Sequence, residues 1–107
     1  MLYEMRIYDA VPGKFQALHD RFANITLKFF EKHGIQVVAF WEHVVGVSNQ
    51  LIYVLAWQDL AERERVWNAF ATDPEWLRAR AETERDGPLV AKITNYILKP
   101  TPYSPMQ

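Results

Sequence analysis

Side chains of opposite character alternate along the first stretch of the chain, residues 2–9. The apolar positions are Tyr3, Met5 and Ile7, and the positions between them are Glu4, Arg6 and Tyr8. Successive side chains of a β-strand point to opposite faces of a sheet, so this pattern predicts a strand with one apolar face and one polar and aromatic face. We expect the apolar face to pack against helices and the polar face to point away from them.

A helical pattern follows this strand. Apolar side chains recur at three- and four-residue steps over four turns, at Phe15, Leu18, Phe22, Ile25 and Phe29. This spacing predicts one amphipathic α-helix. Pro12 suits its first turn, because the missing N–H of proline has no intrahelical partner there. Gly34 is expected to end the helix in a left-handed conformation.

Three more strands are predicted. Residues 35–46 and 51–57 are apolar and rich in β-branched side chains, and the turn between them indicates a hairpin. A last strand is predicted over residues 89–98. The tail, residues 99–107, holds three prolines, so we expect it to be extended, with Tyr103 anchoring it on its own subunit or on a partner.

Two more helices are predicted between the hairpin and the last strand. Asp59 is expected to cap the first of them. This helix is interrupted at Asp73, because a residue that precedes proline disfavours the helical conformation. Asp73 and Pro74 then suit the cap and the first position of a new short helix.

The order of these elements is β-α-β-β-α-α-β, which is typical of a ferredoxin-like α+β fold. We therefore predict a four-stranded antiparallel sheet with the spatial order 4-1-3-2 and with the helices on one face. No linker, repeat or low-complexity segment divides the chain, so residues 1–107 are expected to form a single domain. The second face of the sheet is left open and must be wet, covered or paired.

Composition and net charge exclude several kinds of site and partner. Half of the 107 residues are hydrophobic, and 12 basic against 13 acidic residues give a net charge of -1. This balance provides no basic surface for nucleic acid. The absence of cysteine excludes disulfides and thiolate metal sites and is compatible with a reducing compartment. Because the first residues include charges and no apolar run is long enough to span a bilayer, we expect a cytoplasmic protein without membrane insertion.

Three segments carry a resemblance to a known family. They are "YEMRIYDAVPGK", "LAERERVWNAFATDPEW" and "NYILKPTPYSP". Their order and spacing resemble the NIPSNAP family over most of the chain. The resemblance implies a homodimeric α/β barrel, in which two ferredoxin-like sheets face each other and enclose a lumen. That arrangement would cover the open sheet face.

The polar face of the first strand provides the main candidate site. Glu4, Arg6 and Tyr8 are expected to point into the lumen, where a carboxylate, a guanidinium and a phenol could do acid–base chemistry if burial moved their pKa values. Tyr96 on the last strand is expected to share that face. The structural alternative is that Glu4 and Arg6 pair with each other or across the dimer.

Trp41 and His43, on one face of the second strand, are further candidates for lining the lumen. The three histidines lack the spacing of a metal site, and no metal or other cofactor is predicted. No phosphate-binding loop, dinucleotide fingerprint or hydrolase nucleophile motif occurs in the sequence.

Arg63 lies inside the apolar stripe of the helix that begins near Leu60, between Trp67 and Phe70. A buried guanidinium needs a carboxylate or carbonyl partner. Arg63 is therefore either structural, in an ion pair or with its stem extended to water, or an anion clamp for a ligand. Trp67, Phe70 and Trp76 are interpreted mainly as packing between helix and sheet.

Two functions follow as alternatives. In the first, the lumen binds a small organic molecule, with or without catalysis. In the second, the protein is a non-catalytic homo-oligomer that acts through its interactions. A polar strand face favours the first, since assembly alone would gain more from an apolar face. The family resemblance defines no biochemical role.

Overall fold

Four strands and four α-helices make up the chain, whose computed structural model describes residues 1–107. The strands are β1 (Leu2–Ala10), β2 (Gln36–Glu42), β3 (Gln50–Trp57) and β4 (Val90–Leu98). The helices are α1 (Phe15–Arg21), α2 (Leu27–Lys32), α3 (Leu60–Ala71) and α4 (Pro74–Thr83). A π-helical segment, Phe22–Thr26, joins α1 to α2 without a break.

The four strands form one antiparallel sheet in the order β2-β3-β1-β4. This is the predicted ferredoxin-like order, so the prediction of fold class is confirmed. β1 lies in the centre and pairs with β3 on one side and β4 on the other. The helices cover one face of the sheet, and none of them has the length and apolar character needed to cross a membrane.

The helix ends follow the predicted chemistry at three of four positions. The Asp59 carboxylate accepts the Glu62 backbone N–H at 2.8 Å, and the Asp73 carboxylate accepts the Glu75 N–H at 2.9 Å. Gly34 has a φ of 71°, the left-handed conformation that follows α2. The prediction for Pro12 is wrong, because Pro12 lies in a turn that precedes α1.

The first helical stretch is wider in its middle than the sequence predicts. Four of its five buried positions recur every four residues, at Leu18, Phe22, Thr26 and Phe30. In a regular α-helix a four-residue step drifts around the axis, but the wider π-helical turn keeps these positions on one face. Phe30 is consequently buried, whereas Phe29, which the α-helical spacing favours, is only half-buried.

The predicted orientation of β1 is wrong. Glu4, Arg6 and Tyr8 are 0%, 6% and 8% exposed and lie under the helices. The Arg6 guanidinium is 4.2 Å from the centre of the Trp67 ring on α3, and the Tyr8 ring is 5.6 Å from that of Phe22. These polar groups tolerate burial because partners on the helix side satisfy them, as described below.

The opposite sheet face is uncovered and largely apolar, with Asp9, Gln50 and Lys92 at one end. It carries side chains from all four strands: Tyr3, Met5, Ile7, Ala39, Trp41, Ile52, Val54, Thr94, Tyr96 and Leu98. We call this surface the open face. The tail folds back toward its edge, where the Tyr3 hydroxyl donates to the Gln107 carbonyl at 2.7 Å. Tyr103 is exposed and does not anchor the tail on its own chain.

Candidate functional site

A cavity of about 480 Å³ lies between the helices and the β1–β4 side of the sheet. Arg6 and Tyr8 of β1 form part of its lining, and Arg21 and Thr26 of the first helical stretch form another part. Five of the other lining residues are aromatic: Phe22, Phe30, Trp67, Phe70 and Trp76. We call this space the central cavity. It is a mixed apolar and polar space of the kind that small molecules occupy.

The aromatic wall is built from two helices and the turn between them. The Trp67 and Phe70 rings on α3 are 5.1 Å apart, and Phe70 lies 4.8 Å from Trp76 on α4. The cap formed by Asp73 and Pro74 starts α4 and so brings Trp76 beside Phe70. These large apolar groups provide surface on which a flat ligand could stack.

Glu4 organises the polar groups next to this wall. Its two carboxylate oxygens accept five hydrogen bonds of 2.8–3.1 Å. Arg6 donates through Nη1, Trp57 through its indole N–H, and Asn95 of β4 through its amide. Arg63 donates the other two, so the carboxylate is fully satisfied inside the protein.

Arg63 holds Glu4 through one edge of its guanidinium. Nε donates to Oε1 at 2.8 Å and Nη2 donates to Oε2 at 2.9 Å. This is the bidentate geometry that carboxylates favour with arginine. The expectation that Arg63 requires a carboxylate partner is confirmed, and the contact joins α3 to the sheet.

Arg6 is held from the other side by two phenols. Its Nε donates to the Tyr53 hydroxyl at 2.9 Å and its Nη2 to the Tyr8 hydroxyl at 3.2 Å. The two hydroxyl oxygens are themselves 2.9 Å apart. A chain of hydrogen bonds thus runs from Glu4 through Arg6 to the edge of the central cavity at Tyr8.

The pKa values of this network follow from its contacts. Burial alone would raise the pKa of Glu4, but hydrogen bonds from Arg63 and Asn95 and the charges of Arg6 and Arg63 lower that pKa to about 2. Burial acts against the charge of Arg6, yet its contacts with Tyr53, Tyr8 and Glu4 raise its pKa above the ordinary value. Burial also raises the pKa of the Tyr53 phenol well above its usual range. All these groups keep their ordinary charges at neutral pH.

Arg21 and Thr26 form a second polar group, on the helical wall of the cavity. The Arg21 Nη1 donates to the Thr83 hydroxyl at 3.3 Å and to the Glu84 carboxylate at 3.0 Å. The Arg21 Nε and the Thr26 hydroxyl are buried and have no hydrogen-bond partner in the protein. Arg21 and Thr26 are 6% and 3% exposed.

The predicted site residues divide between the two sides of the sheet. Glu4, Arg6, Tyr8 and Arg63 come together on the helix side. Trp41, His43 and Tyr96 belong to the other side or to the sheet edge. Trp41 pairs with Ile52 and Tyr96 with Met5, both on the open face. The prediction that Tyr96 shares a face with Glu4 is therefore wrong. His43 follows β2, and its ring lies 2.7 Å from the Gln50 side chain.

Sequence reasoning missed Arg21, Thr26, Tyr53 and Asn95. Tyr53 lies in an apolar strand and Asn95 breaks the alternation of β4, so neither stood out as a polar partner. The four-residue recurrence of Leu18, Phe22 and Phe30 was the available signal for the wider helix. It would have placed Thr26 on the buried face and Arg21 beside it.

Metal-ligating side chains do not converge anywhere in the structure. No group of three or more His, Asp or Glu side chains could hold a metal ion. His33 and Lys32 instead contact the Asp73 carboxylate, each at 2.8 Å, and those hydrogen bonds hold the pKa of Asp73 well below its usual range. His19 lies 2.8 Å from Glu42 on the surface.

Comparison with known proteins gives one family and several related folds. The NIPSNAP family model matches residues 3–105. A NIPSNAP family protein of unknown function from Agrobacterium tumefaciens is 25% identical over 100% of this chain and 94% of its own, with a TM-score of 0.86. An uncharacterized NIPSNAP-like domain protein from Burkholderia xenovorans is 24% identical over 97% and 88%, with a TM-score of 0.85.

A more distant likeness extends the fold beyond this family. An antibiotic biosynthesis monooxygenase is 12% identical over 95% of this chain and 100% of its own, with a TM-score of 0.62. At this identity the likeness shows a shared fold and nothing about activity. No curated protein matches the chain.

Proposed function

The chain belongs to the NIPSNAP family, and on this premise we propose that it binds a small organic molecule in the central cavity. The solved relatives are described as uncharacterized or of unknown function, so the proposal depends on the geometry of the site. The observation that carries it is a cavity of about 480 Å³ with an aromatic wall and buried polar groups. Sites for small molecules usually have roughly 300–1,000 Å³ and this mixture of groups.

The cavity opens to solvent beside the start of β4, where its lining residues Lys92 and Ile93 are exposed. A ligand could enter such a cleft without opening the fold. Apolar residues of larger volume at Thr26 or Ala71, which both line the space, would reduce it. A bound ligand would restore the missing contacts with the Trp67, Phe70 and Trp76 rings. The proposal concerns binding, and no reaction is assigned to the cavity.

The site lies on the helix side of the sheet, whereas the sequence placed it in a lumen between two sheets. We propose that the open face has a separate role, which is to pair with the sheet of a second copy in a homodimeric α/β barrel. Trp41, Tyr96 and Leu98 support this, since they are large apolar side chains that are 52%, 50% and 42% exposed on one face of the sheet. The second candidate function, a homo-oligomer without a ligand, depends on this face alone. A cytoplasmic location also remains part of the proposal.

Native mass spectrometry of the purified protein tests the binding proposal. We expect a small molecule to co-purify and to be lost when Ala71→Phe fills the cavity. Ala61→Phe, on an exposed position of the same helix, is the matched control and should retain the molecule. Equal retention by both variants, or an empty wild-type protein that gains no thermal stability from any compound of a metabolite library, would argue against a ligand site.

Light scattering at micromolar concentration tests the pairing of two copies. The wild-type protein is expected to run as a dimer, and Ile52→Lys, in the middle of the open face, is expected to give a monomer. Val44→Lys, at a fully exposed position of the hairpin turn, should leave the dimer unchanged. A wild-type monomer would remove the barrel from the proposal without touching the central cavity. A dimer with an empty cavity would favour the second candidate function.

A further inference from the structure

The strand β4 is more exposed than any other strand of the sheet. Its register with β1 places Ile93 and Ile97 on the helix side, where they are 47% and 41% exposed. Tyr96 and Leu98, on the open face, are exposed to a similar extent. The helices thus leave apolar side chains of β4 uncovered on one face of the sheet, and the open face leaves others uncovered on the opposite side.

The outer edge of β4 is free as well. β4 is the last strand of the sheet, so alternate backbone N–H and C=O groups point outward without a neighbouring strand. Proteins commonly protect such an edge with proline, several charges or a bulge. The regular part of β4, Lys92–Leu98, has one charge and no proline, whereas β2 at the other edge carries a bulge between Val37 and Ala39. β4 is therefore the edge that is better suited to pair with another strand.

The regular part of β4 is complementary to itself. Two copies that run antiparallel about a two-fold axis at Asn95 place Ile93 of one copy opposite Ile97 of the other, twice in each pair. Thr94 then lies opposite Tyr96, and Lys92 lies opposite Leu98, so the two lysines do not meet. Apolar side chains that lie directly opposite each other stabilise paired strands, and a two-fold axis repeats each contact.

The same pairing reaches the opening of the central cavity. The cavity opens beside Lys92 and Ile93, at the start of the regular part of β4. In the two-fold pair, Ile97 of the second copy lies against Ile93 and covers this side of the opening. The wall of the cavity is therefore incomplete in one chain and is extended by the other.

We propose that β4 pairs edge to edge with β4 of a second copy, about a two-fold axis at Asn95, and that this pairing closes the opening of the central cavity. We call it the β4 seam. The inference rests on the proposed function, since it names the edges that meet in the homodimeric barrel and makes the ligand site depend on both copies. A two-fold barrel could instead join β4 to β2 of the second copy, but the bulge bends β2 away from a straight partner.

Cross-linking tests the seam directly, because the native chain has no cysteine. The double variant Ile93→Cys/Ile97→Cys is treated at micromolar concentration with a short bifunctional thiol reagent. We expect it to give covalent dimers on a denaturing gel. Each single variant should stay largely monomeric on the same gel, since like positions are then four residues apart along the strands, about 13 Å.

A substitution on the helix side separates the seam from pairing of the open faces. Ile97→Lys places a lysine opposite Ile93 twice in each dimer, so the dissociation constant measured by analytical ultracentrifugation should rise at least tenfold. Leu77→Lys, at a similarly exposed position on α4, is the matched control and should leave it unchanged. Circular dichroism verifies that both variants are folded.

Thiol reactivity tests the closure of the cavity. The thiol introduced by Ile93→Cys should react at least tenfold more slowly in the dimer than in the Ile52→Lys background, where the partner is absent. The thiol of Val44→Cys, in the exposed hairpin turn, should react at the same rate in both. Equal rates for Ile93→Cys in the two backgrounds would overturn the closure.

The remaining outcomes distinguish the seam from the proposed function. A wild-type dimer that Ile97→Lys does not weaken, and whose double variant cross-links no more than the single variants, would overturn the seam and leave the barrel and the central cavity in place. A wild-type monomer that forms no cross-link would overturn the barrel and the seam together, without affecting binding in the cavity.

Discussion

Two groups of buried charge lie between the helices and the sheet, and they differ in how completely they are hydrogen-bonded. Around Glu4, both carboxylate oxygens have partners, and Arg6 and Arg63 hold them from two sides. Around Arg21, the Nε and the neighbouring Thr26 hydroxyl have none. The first group joins α3 to the sheet, and the second lines the central cavity.

The difference separates structural charge from candidate binding groups. A buried charge is tolerated when its partners are fixed, and then it specifies how two elements dock. A buried donor without a partner weakens the fold, so its presence requires a specific explanation. Glu4 and Arg21 are buried to a similar extent. They differ in how many of their polar atoms have a hydrogen-bond partner.

The largest effect is expected when the charge of Glu4, whose carboxylate oxygens all have partners, is removed. Glu4→Gln should destabilise the protein by about 3–5 kcal/mol, because it leaves Arg6 buried without a carboxylate and turns an amide N–H₂ toward guanidinium donors. Urea unfolding followed by circular dichroism measures the loss. Glu64→Gln, at an exposed position on α3, is the control and should change stability by less than about 0.5 kcal/mol. A loss below about 1 kcal/mol in Glu4→Gln would show that the network is not structural.

Acid should also lower the free energy of unfolding through Glu4, by less than the Glu4→Gln substitution does. The pKa of Glu4 is about 2 in the folded protein, below the ordinary value of 4.5. A lowered folded pKa gives stability that is fully present above the unfolded pKa and is lost as the pH falls from about 4.5 to 2, here about 2 kcal/mol after allowance for solvent screening. Carbon NMR of the side-chain carboxyl checks the cause. Glu4 should remain ionised at pH 3, and a titration midpoint near 4.5 would contradict the network.

Loss of the Arg63 side chain should destabilise the protein less than loss of the Glu4 carboxylate. Arg63→Ala is expected to lower the free energy of unfolding by about 1–3 kcal/mol, because Glu4 keeps Arg6, Trp57 and Asn95 as partners. Arg65→Ala, two residues further along α3 and exposed, should leave the urea midpoint unchanged. If both variants behave alike, the Arg63–Glu4 contact contributes nothing that a solvent-exposed arginine does not.

The fold could be predicted from the sequence because local signals agree with it. Alternation identifies β1 as a strand. The caps at Asp59 and Asp73 mark the starts of α3 and α4, and Gly34 marks the end of α2. The strand order followed from the order of elements. Each of these features depends on residues that are close in the sequence, so the sequence alone is enough to recognise it.

The candidate site was not predictable in the same way. Alternation identified the two faces of β1 but placed the wrong one under the helices, because an apolar face was expected to be the buried one. Which face is buried depends on partners distant in sequence, such as Tyr53 and Arg63. The π-helical segment was missed because Phe29 and Phe30 are both apolar, so the sequence fits two helical phases.

The smallest effect is expected at Thr26, in the group around Arg21. It compares this group most directly with the fully hydrogen-bonded group around Glu4. Thr26→Val removes a buried hydroxyl that has no partner, so stability should stay within about 0.5 kcal/mol of wild type or rise. Thr83→Val is the matched control, because the Thr83 hydroxyl accepts from Arg21 and donates to the Arg80 carbonyl at 2.7 Å. It should lose about 0.5–1.5 kcal/mol. Both variants exchange a hydroxyl for a methyl group, and differential scanning calorimetry compares them under one condition. A loss in Thr26→Val as large as that in Thr83→Val would mean that the Thr26 hydroxyl is satisfied in the free protein, and the two groups would then no longer differ.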